Sequence, residues 1–161
     1  MARITEIEIQ KEENCFSAGH FTIFSSKDRE DLHGHNYYVG VSMKVLVTEN
    51  GLAFDYRDFK KHLKSLCKQL NLKFILPKYS KFLKLEETPD MWLAHFDNEK
   101  IPFLKRDVII LPIENATIED LSNWLLNELT KDQDLLDKFQ IKEMTVKVYN
   151  GPGQSAATTK G

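Results

Sequence analysis

Three histidines could carry chemistry in this chain: His20 in FSAGHF, and His33 and His35 in LHGHNYYVGV. Residues two apart in a strand project on the same face, so His33 and His35 can present two imidazoles to one metal while His20 supplies a third from a neighbouring strand. Three protein ligands leave a fourth position for substrate or water. That is the ligand count of a catalytic zinc site, whereas structural sites normally close the shell with four. Spacing alone leaves a second reading open, because H-x-H also occurs on solvated strands and in hydrogen-bonded turns.

The elements that must position these imidazoles can be read from the apolar pattern. Ile4, Ile7, Ile9, Phe16 and Phe21 suggest a strand interrupted by the polar KEEN turn, and SSKDRED (25–31) is a loop by composition. NYYVGVSMKVLVT (36–48) alternates as a long strand, antiparallel to the first and ended by ENG. After Asp55, a plausible N-cap, Phe59, Leu63, Leu66, Cys67 and Leu70 recur at helical steps. His62 falls on the polar face of that helix and reads as a surface residue. Residues 81–111 read as a hairpin ending in the short buried strand VIIL, with His95 structural within it. A second helix starts at its cap Thr117, with Asp120 at the third helical position and Ile118, Leu121, Leu125 and Leu129 on one face. Met144, Val146 and Val148 alternate on a last strand, and the tail SAATTKG is expected to fray. The order implies an α+β fold, an antiparallel four-stranded sheet plus an inserted hairpin, with two helices on one face.

Bulk properties narrow the function classes. At 161 residues, with 42% hydrophobic content, residues 1–161 are expected to form a single domain with its own core. A formal charge of −2 gives no basic field for nucleic acid. The sequence shows no apolar stretch long enough for a membrane span and no secretory signal pattern, so a cytoplasmic protein is expected. Two cysteines, Cys15 and Cys67, are too few for a disulfide framework or a thiolate cluster, and both read as small core residues.

The words around the histidines go further. FSAGH followed by LHGHNYYV resembles the 6-pyruvoyltetrahydropterin synthase and 6-carboxytetrahydropterin synthase family, and the likeness continues through NGLAFDYRDFKKHLK, CKQLNLKFILP, TIEDLSNWLLNEL and MTVKVYNGPGQSA. The resemblance implies the tunnelling fold, Zn2+ on His20, His33 and His35, a pterin-like substrate, and a homo-oligomer, usually a hexamer, with active sites between subunits. It implies a lyase acting on dihydroneopterin triphosphate or a related dihydropterin. The family commonly places a cysteine before H-x-H as its base. One subgroup has instead a glutamate three residues before the first histidine, in a phrase that Arg29, Glu30, Asp31, Leu32 and His33 match, so Glu30 is the candidate general base.

Two departures bear on the ligand. An Asp-His pair of the family is replaced by Asn71 and Leu72, and the glutamate that anchors the pterin ring is replaced by Asn150, whose amide offers one acceptor and one donor face. Glu119 and Thr117 are further candidates for substrate contact, though each also suits the start of a helix. The alternatives to a lyase are a non-catalytic paralogue that binds zinc and a pterin or purine, and a same-fold enzyme acting on another heterocycle. Loss of the Asp-His pair favours the first of these, and Asn150 the second.

Overall fold

A computed structural model describes residues 1–9 and 11–161. Its centre is β3 (His33–Val47), whose fifteen residues serve two partners on one edge. The far half pairs antiparallel with β1 (Arg3–Ile9), from Arg3 opposite Val47 to Ile9 opposite Val41. The near half pairs with β2 (Cys15–His20), from Cys15 opposite Tyr38 to His20 opposite His33. A short 3-10 turn at Lys11–Glu13 carries the chain between the two pairings. On the other edge β3 pairs with β9 (Ile141–Tyr149), and β9 with β10 (Ser155–Lys160).

Among the described residues the main sheet has seven strands and is mixed, which corrects the expectation of four antiparallel ones. Two of its strands are β4 (Lys73–Pro77), not expected as a strand, and β8 (Val108–Leu111), the expected strand VIIL, which run parallel to β2 and to each other. KFILP and VIIL are continuous apolar runs, the pattern of parallel strands covered on both faces, where no alternation marks the strand. The expected hairpin is a separate three-stranded antiparallel sheet of β5 (Leu83–Glu87), β6 (Met91–Phe96) and β7 (Glu99–Leu104). The tail is β10 rather than a frayed end, held by six register pairs to β9.

Two long helices, α1 (Arg57–Leu70) and α2 (Ile118–Leu129), cover one face of the main sheet. Asp55 lies just before the cap position Tyr56, and its Oδ1 accepts the Arg57 N–H at 3.1 Å. Thr117 caps α2 as expected, its Oγ1 accepting the Asp120 N–H at 3.3 Å. A short third helix, α3 (Gln133–Lys138), is capped by Asp132. The core packs Leu63, Leu66, Leu121 and Leu125 against Tyr37, Val39, Val41 and Met43 of β3 and Met144, Val146 and Val148 of β9. A second cluster, Phe21, Ile23, Leu76, Leu83, Ala94, Phe96 and Val108, joins the small sheet to the main one. Cys67 is buried, and burial pushes its thiol up to about 12; Cys15 is exposed, because its side chain falls on the sheet face opposite the core row of Phe16 and Ala18. No helix is long and apolar enough to cross a membrane.

Gly34, between the two β3 histidines, lies against the neighbouring strand: a Cβ there would stand 2.9 Å from the Ala18 carbonyl oxygen. Backbone cannot rotate away, whereas the Phe74 ring that a Cβ on Gly19 would strike can. Gly34→Ala is therefore expected to destabilise by about 1–3 kcal/mol, the usual range for overpacking, and to disturb the β2–β3 register. Denaturant unfolding of the variant measures the first, and loss of metal affinity reports the second.

Candidate metal centre

On β3 the residues facing the helices are the odd-numbered ones, Tyr37, Val39, Val41, Met43, Val45 and Val47, all buried. His35 and His33 continue that row past the helix-covered region, where the wall of apolar side chains gives way to solvent. On β2 the row Phe16, Ala18, His20 does the same, and His20 is 5% exposed. Since His20 sits directly opposite His33, three imidazoles converge at one end of the core.

The ring nitrogens show what kind of cluster this is. His20 Nδ1 lies 2.6 Å from the Ala116 carbonyl oxygen, and His33 Nδ1 lies 2.7 Å from that of Asp31. A carbonyl only accepts, so each Nδ1 carries the proton and each neutral ring turns a lone pair outward on Nε2. Those Nε2 atoms are 3.1 Å apart, and His33 Nε2 is also 3.1 Å from His35 Nε2. Lone pairs facing each other at this distance repel unless a cation lies between them. In a tetrahedral zinc site with bonds of about 2.0–2.1 Å, ligand nitrogens stand roughly 3.3 Å apart, close to those two separations, and all three donor atoms lie within 4.8 Å of one another. The Nδ1–H···O=C pairing is also the usual outer support of metal-bound histidine. The donor set fits a divalent cation.

Burial pushes the His20 imidazole below its ordinary 6.5; the Ala116 carbonyl opposes this, while His33 and His35 add to it. The unfolded chain then binds a proton near pH 6.5 that the folded chain refuses, so stability of the metal-free protein falls as pH drops below that value. Thermal melts of chelator-treated protein between neutral and mildly acidic pH are expected to show this decline, and a flat profile would contradict it.

Glu30 approaches the cluster from the 21–32 loop. This loop folds back on itself: Ile23 bridges Arg29, the Glu30 N–H donates to Thr22 O at 2.9 Å, and the Thr22 N–H donates to Glu30 Oε2 at 2.8 Å. Oε2 lies 3.8 Å from His33 Nε2. Burial works to raise the Glu30 pKa, but hydrogen bonds from the Thr22 N–H and the Thr22 side chain, with the nearby histidines, outweigh it and hold the carboxyl below its ordinary value.

The remaining sequence candidates divide. Thr117 follows Ala116, the residue whose carbonyl orients His20, so the start of α2 lies beside the centre. Glu119 is exposed in the first turn of that helix. Asn150 follows the last residue of β9, level with Tyr38 on β3, three residues from His35; it is half-buried and its backbone N–H donates to Gln154 O at 3.3 Å. Asn71 is a structural bracket, its Oδ1 accepting the Ser17 N–H at 2.9 Å. Leu72 stands 78% exposed at φ +60°, left-handed backbone that is uncommon for leucine, beside a shallow cleft of about 450 Å³ that His35 and Asn36 also line.

Sequence reasoning missed the supports. Asn115 Oδ1 accepts the Ile23 N–H at 3.1 Å and its Nδ2 donates to Ile23 O at 2.8 Å, tying the Ala116 loop to the segment after His20. Asp120 Oδ2 accepts the N–H groups of Glu114 and Asn115. The polar ENATIED phrase was the available signal, read only as a helix start.

A sequence model described as 6-pyruvoyl tetrahydropterin synthase matches residues 8–160. The chain belongs to this family. Homologues in the family are lyases of pterin biosynthesis. A provisionally named 6-carboxy-5,6,7,8-tetrahydropterin synthase of Methanocaldococcus jannaschii is 32% identical over 146 residues, 90% of this chain and 89% of that one. The crystal structure of 6-pyruvoyl tetrahydropterin synthase from Plasmodium vivax superposes with a TM-score of 0.92 at 32% identity, covering 98% of both chains. Two further structures of the P. vivax enzyme, also at TM-score 0.92, are catalytic-residue mutants with a glutamate replaced by alanine or by cysteine. The fold shared across this family is the α+β tunnelling fold, with the main sheet and helices described above.

Proposed function

We propose that this protein is a zinc-dependent pterin synthase-like lyase that acts on dihydroneopterin triphosphate or a related dihydropterin, with Glu30 as general base. The observation that carries the reading is the placement of the Glu30 carboxylate 3.8 Å from His33 Nε2, at the rim of three converging imidazoles. His20, His33 and His35 would hold Zn2+, which when bound supplies a Lewis acid for a substrate oxygen. Support for a glutamate base comes also from the P. vivax enzyme, whose catalytic residue is a glutamate.

The residues of this chain then have distinct tasks. Oε2 of Glu30 accepts the Thr22 N–H and the Thr22 side chain adds a further hydrogen bond to the carboxylate, whose two oxygens between them still have lone pairs left to take a proton. Removing a proton from a side-chain hydroxyl sets up cleavage of the adjacent carbon–carbon bond, with the bonding pair passing into the ring C=N, and the carboxylic acid so formed can return the proton. Asn150, Glu119 and Thr117 are proposed to contact the heterocycle. Leu72, in place of an imidazole, cannot move a proton, which favours a single-base cleavage or elimination over a multi-proton internal redox reaction.

The reading includes a homo-oligomer, proposed as a hexamer: β10 ends the main sheet, and the outer edge of β1 is also unpaired among the described residues, so both can add a strand from another copy. The testing experiment is mass spectrometry of products after zinc-loaded protein is incubated with dihydroneopterin triphosphate. A cleaved or dephosphorylated pterin that is absent with Glu30→Ala supports the lyase. Unchanged substrate, with pterin still bound, moves the assignment to a binding paralogue.

A further inference from the structure

Arg29 precedes the candidate base, yet its side chain points away from the imidazoles and into the small sheet. That side chain is 13% exposed. Its Nη2 donates to Glu99 Oε2 at 2.9 Å and its Nε to Glu99 Oε1 at 3.3 Å, a two-pronged grip on one carboxylate at the start of β7. Nη1 donates to the Glu30 carbonyl oxygen at 2.8 Å. The guanidinium carbon also lies 5.2 Å from the centre of the Phe21 ring, which follows His20, and 5.8 Å from that of Phe96 on β6. One planar cation thus spans the small sheet, the segment after β2 and the backbone of Glu30.

We propose that Arg29, held by Glu99, is the positioning residue for the Glu30 carboxylate, and that the small sheet serves as its abutment. The Glu30 side chain leaves a backbone fixed on one side by the pair of Thr22 bonds and on the other by the Arg29 bond to its carbonyl. Without the Arg29 grip, the Glu30 carbonyl loses that donor and the loop loses its tie to Glu99 of the small sheet, leaving the ladder to Thr22 and Ile23 and the Phe24 and Ser25 bonds to Asp28 O to hold a loop whose tip is exposed. Lysine could not replace Arg29, since a single ammonium cannot span a carboxylate and a carbonyl in a fixed fork. Glu99 is well placed for a clean test: its side chain is 54% exposed, so removing its charge leaves no buried hole.

This inference rests on Glu30 being the base, so the experiment separates the two. In zinc-loaded Glu99→Gln and Arg29→Lys, amide hydrogen exchange at Thr22 and Glu30 is expected to speed up roughly tenfold while β3 and β9 amides keep their rates. With dihydroneopterin triphosphate, kcat is expected to fall roughly tenfold, with KM within about twofold and zinc content unchanged, the split of a misplaced base rather than a damaged binding site. Unaltered exchange at Thr22 and Glu30 would overturn the clamp. Faster exchange with undiminished kcat, while Glu30→Ala is inactive, would overturn its role in positioning. If Glu30→Ala turns over like the parent, the base reading fails instead, and exchange alone then decides whether Arg29 orders the loop.

Discussion

His35→Ala is expected to leave the protein almost free of zinc after dialysis, with affinity reduced by roughly a thousandfold or more, given that loss of an outer-shell support alone costs about 10–100-fold. Two imidazoles remain in the variant, too few to outcompete water and a mild chelator. His35 is the informative position because it is only partly buried and its ring has no backbone hydrogen-bond partner among the described residues, whereas His20 is 5% exposed and its ring is bonded to Ala116, so its loss mixes folding with binding. Elemental analysis after dialysis gives stoichiometry, and chelator competition gives affinity. Thermal melts supply an independent reading: metal that binds only the folded state stabilises it by RT ln(1 + M/Kd), with M the free metal concentration, so the melting-temperature shift seen on adding zinc to the parent should vanish in the variant at zinc concentrations below its weakened Kd. A variant that holds one zinc with parental affinity would remove the three-histidine site.

The convergence of the three histidines was legible because strand alternation is a local rule. Once NYYVGV is read as a strand, His33 and His35 must share a face, and the structure shows that this face is the core row. Thr117 was legible as a cap for the same reason, since its partner Asp120 lies three residues away. What escaped were features fixed by distant partners. The carbonyls of Ala116 and Asp31 set the ring tautomers, and a carbonyl has no sequence signature. The hold of Glu99 on Arg29 joins residues 70 positions apart. KFILP offered neither the alternation nor the length that would mark its class, and only the parallel pairing of β4 with β2 and β8 shows it as a strand. The alanines and threonines of β10 resembled a frayed tail because their pairing comes from the β9 register, not from an apolar face of their own.

Glu30→Gln is expected to lower kcat by about 10²–10⁴-fold, the usual contribution of a positioned general base, with zinc content and fold unchanged. Glutamine preserves the shape: its amide oxygen can accept the Thr22 N–H that Oε2 now takes, so the loop ladder survives while the second position becomes an NH2 group that cannot take a proton. The pH profile separates loss of a base from loss of a contact. The Thr22 N–H, the Thr22 side chain and the histidines outweigh burial and hold the Glu30 carboxyl below its ordinary 4.5, so the carboxylate is ionised throughout the neutral range. Activity should therefore be sustained as pH falls and decline only as pH drops below that ordinary value, where Glu30 gains its proton. The glutamine variant has nothing to protonate there, so its residual rate should lack that acid limb and follow only the other groups of the site. A variant within about threefold of the parent, or one that keeps the same limb, would place the base elsewhere. A low pKa makes a weak base in water, and the reaction is compatible with it only because the proton to be removed is acidified by its surroundings. That dependence joins the two experiments: if the histidines hold a Lewis acid, removing it from the parent should depress kcat at least as far as Glu30→Gln does, and the two losses together should fall short of their product because both act on the same proton.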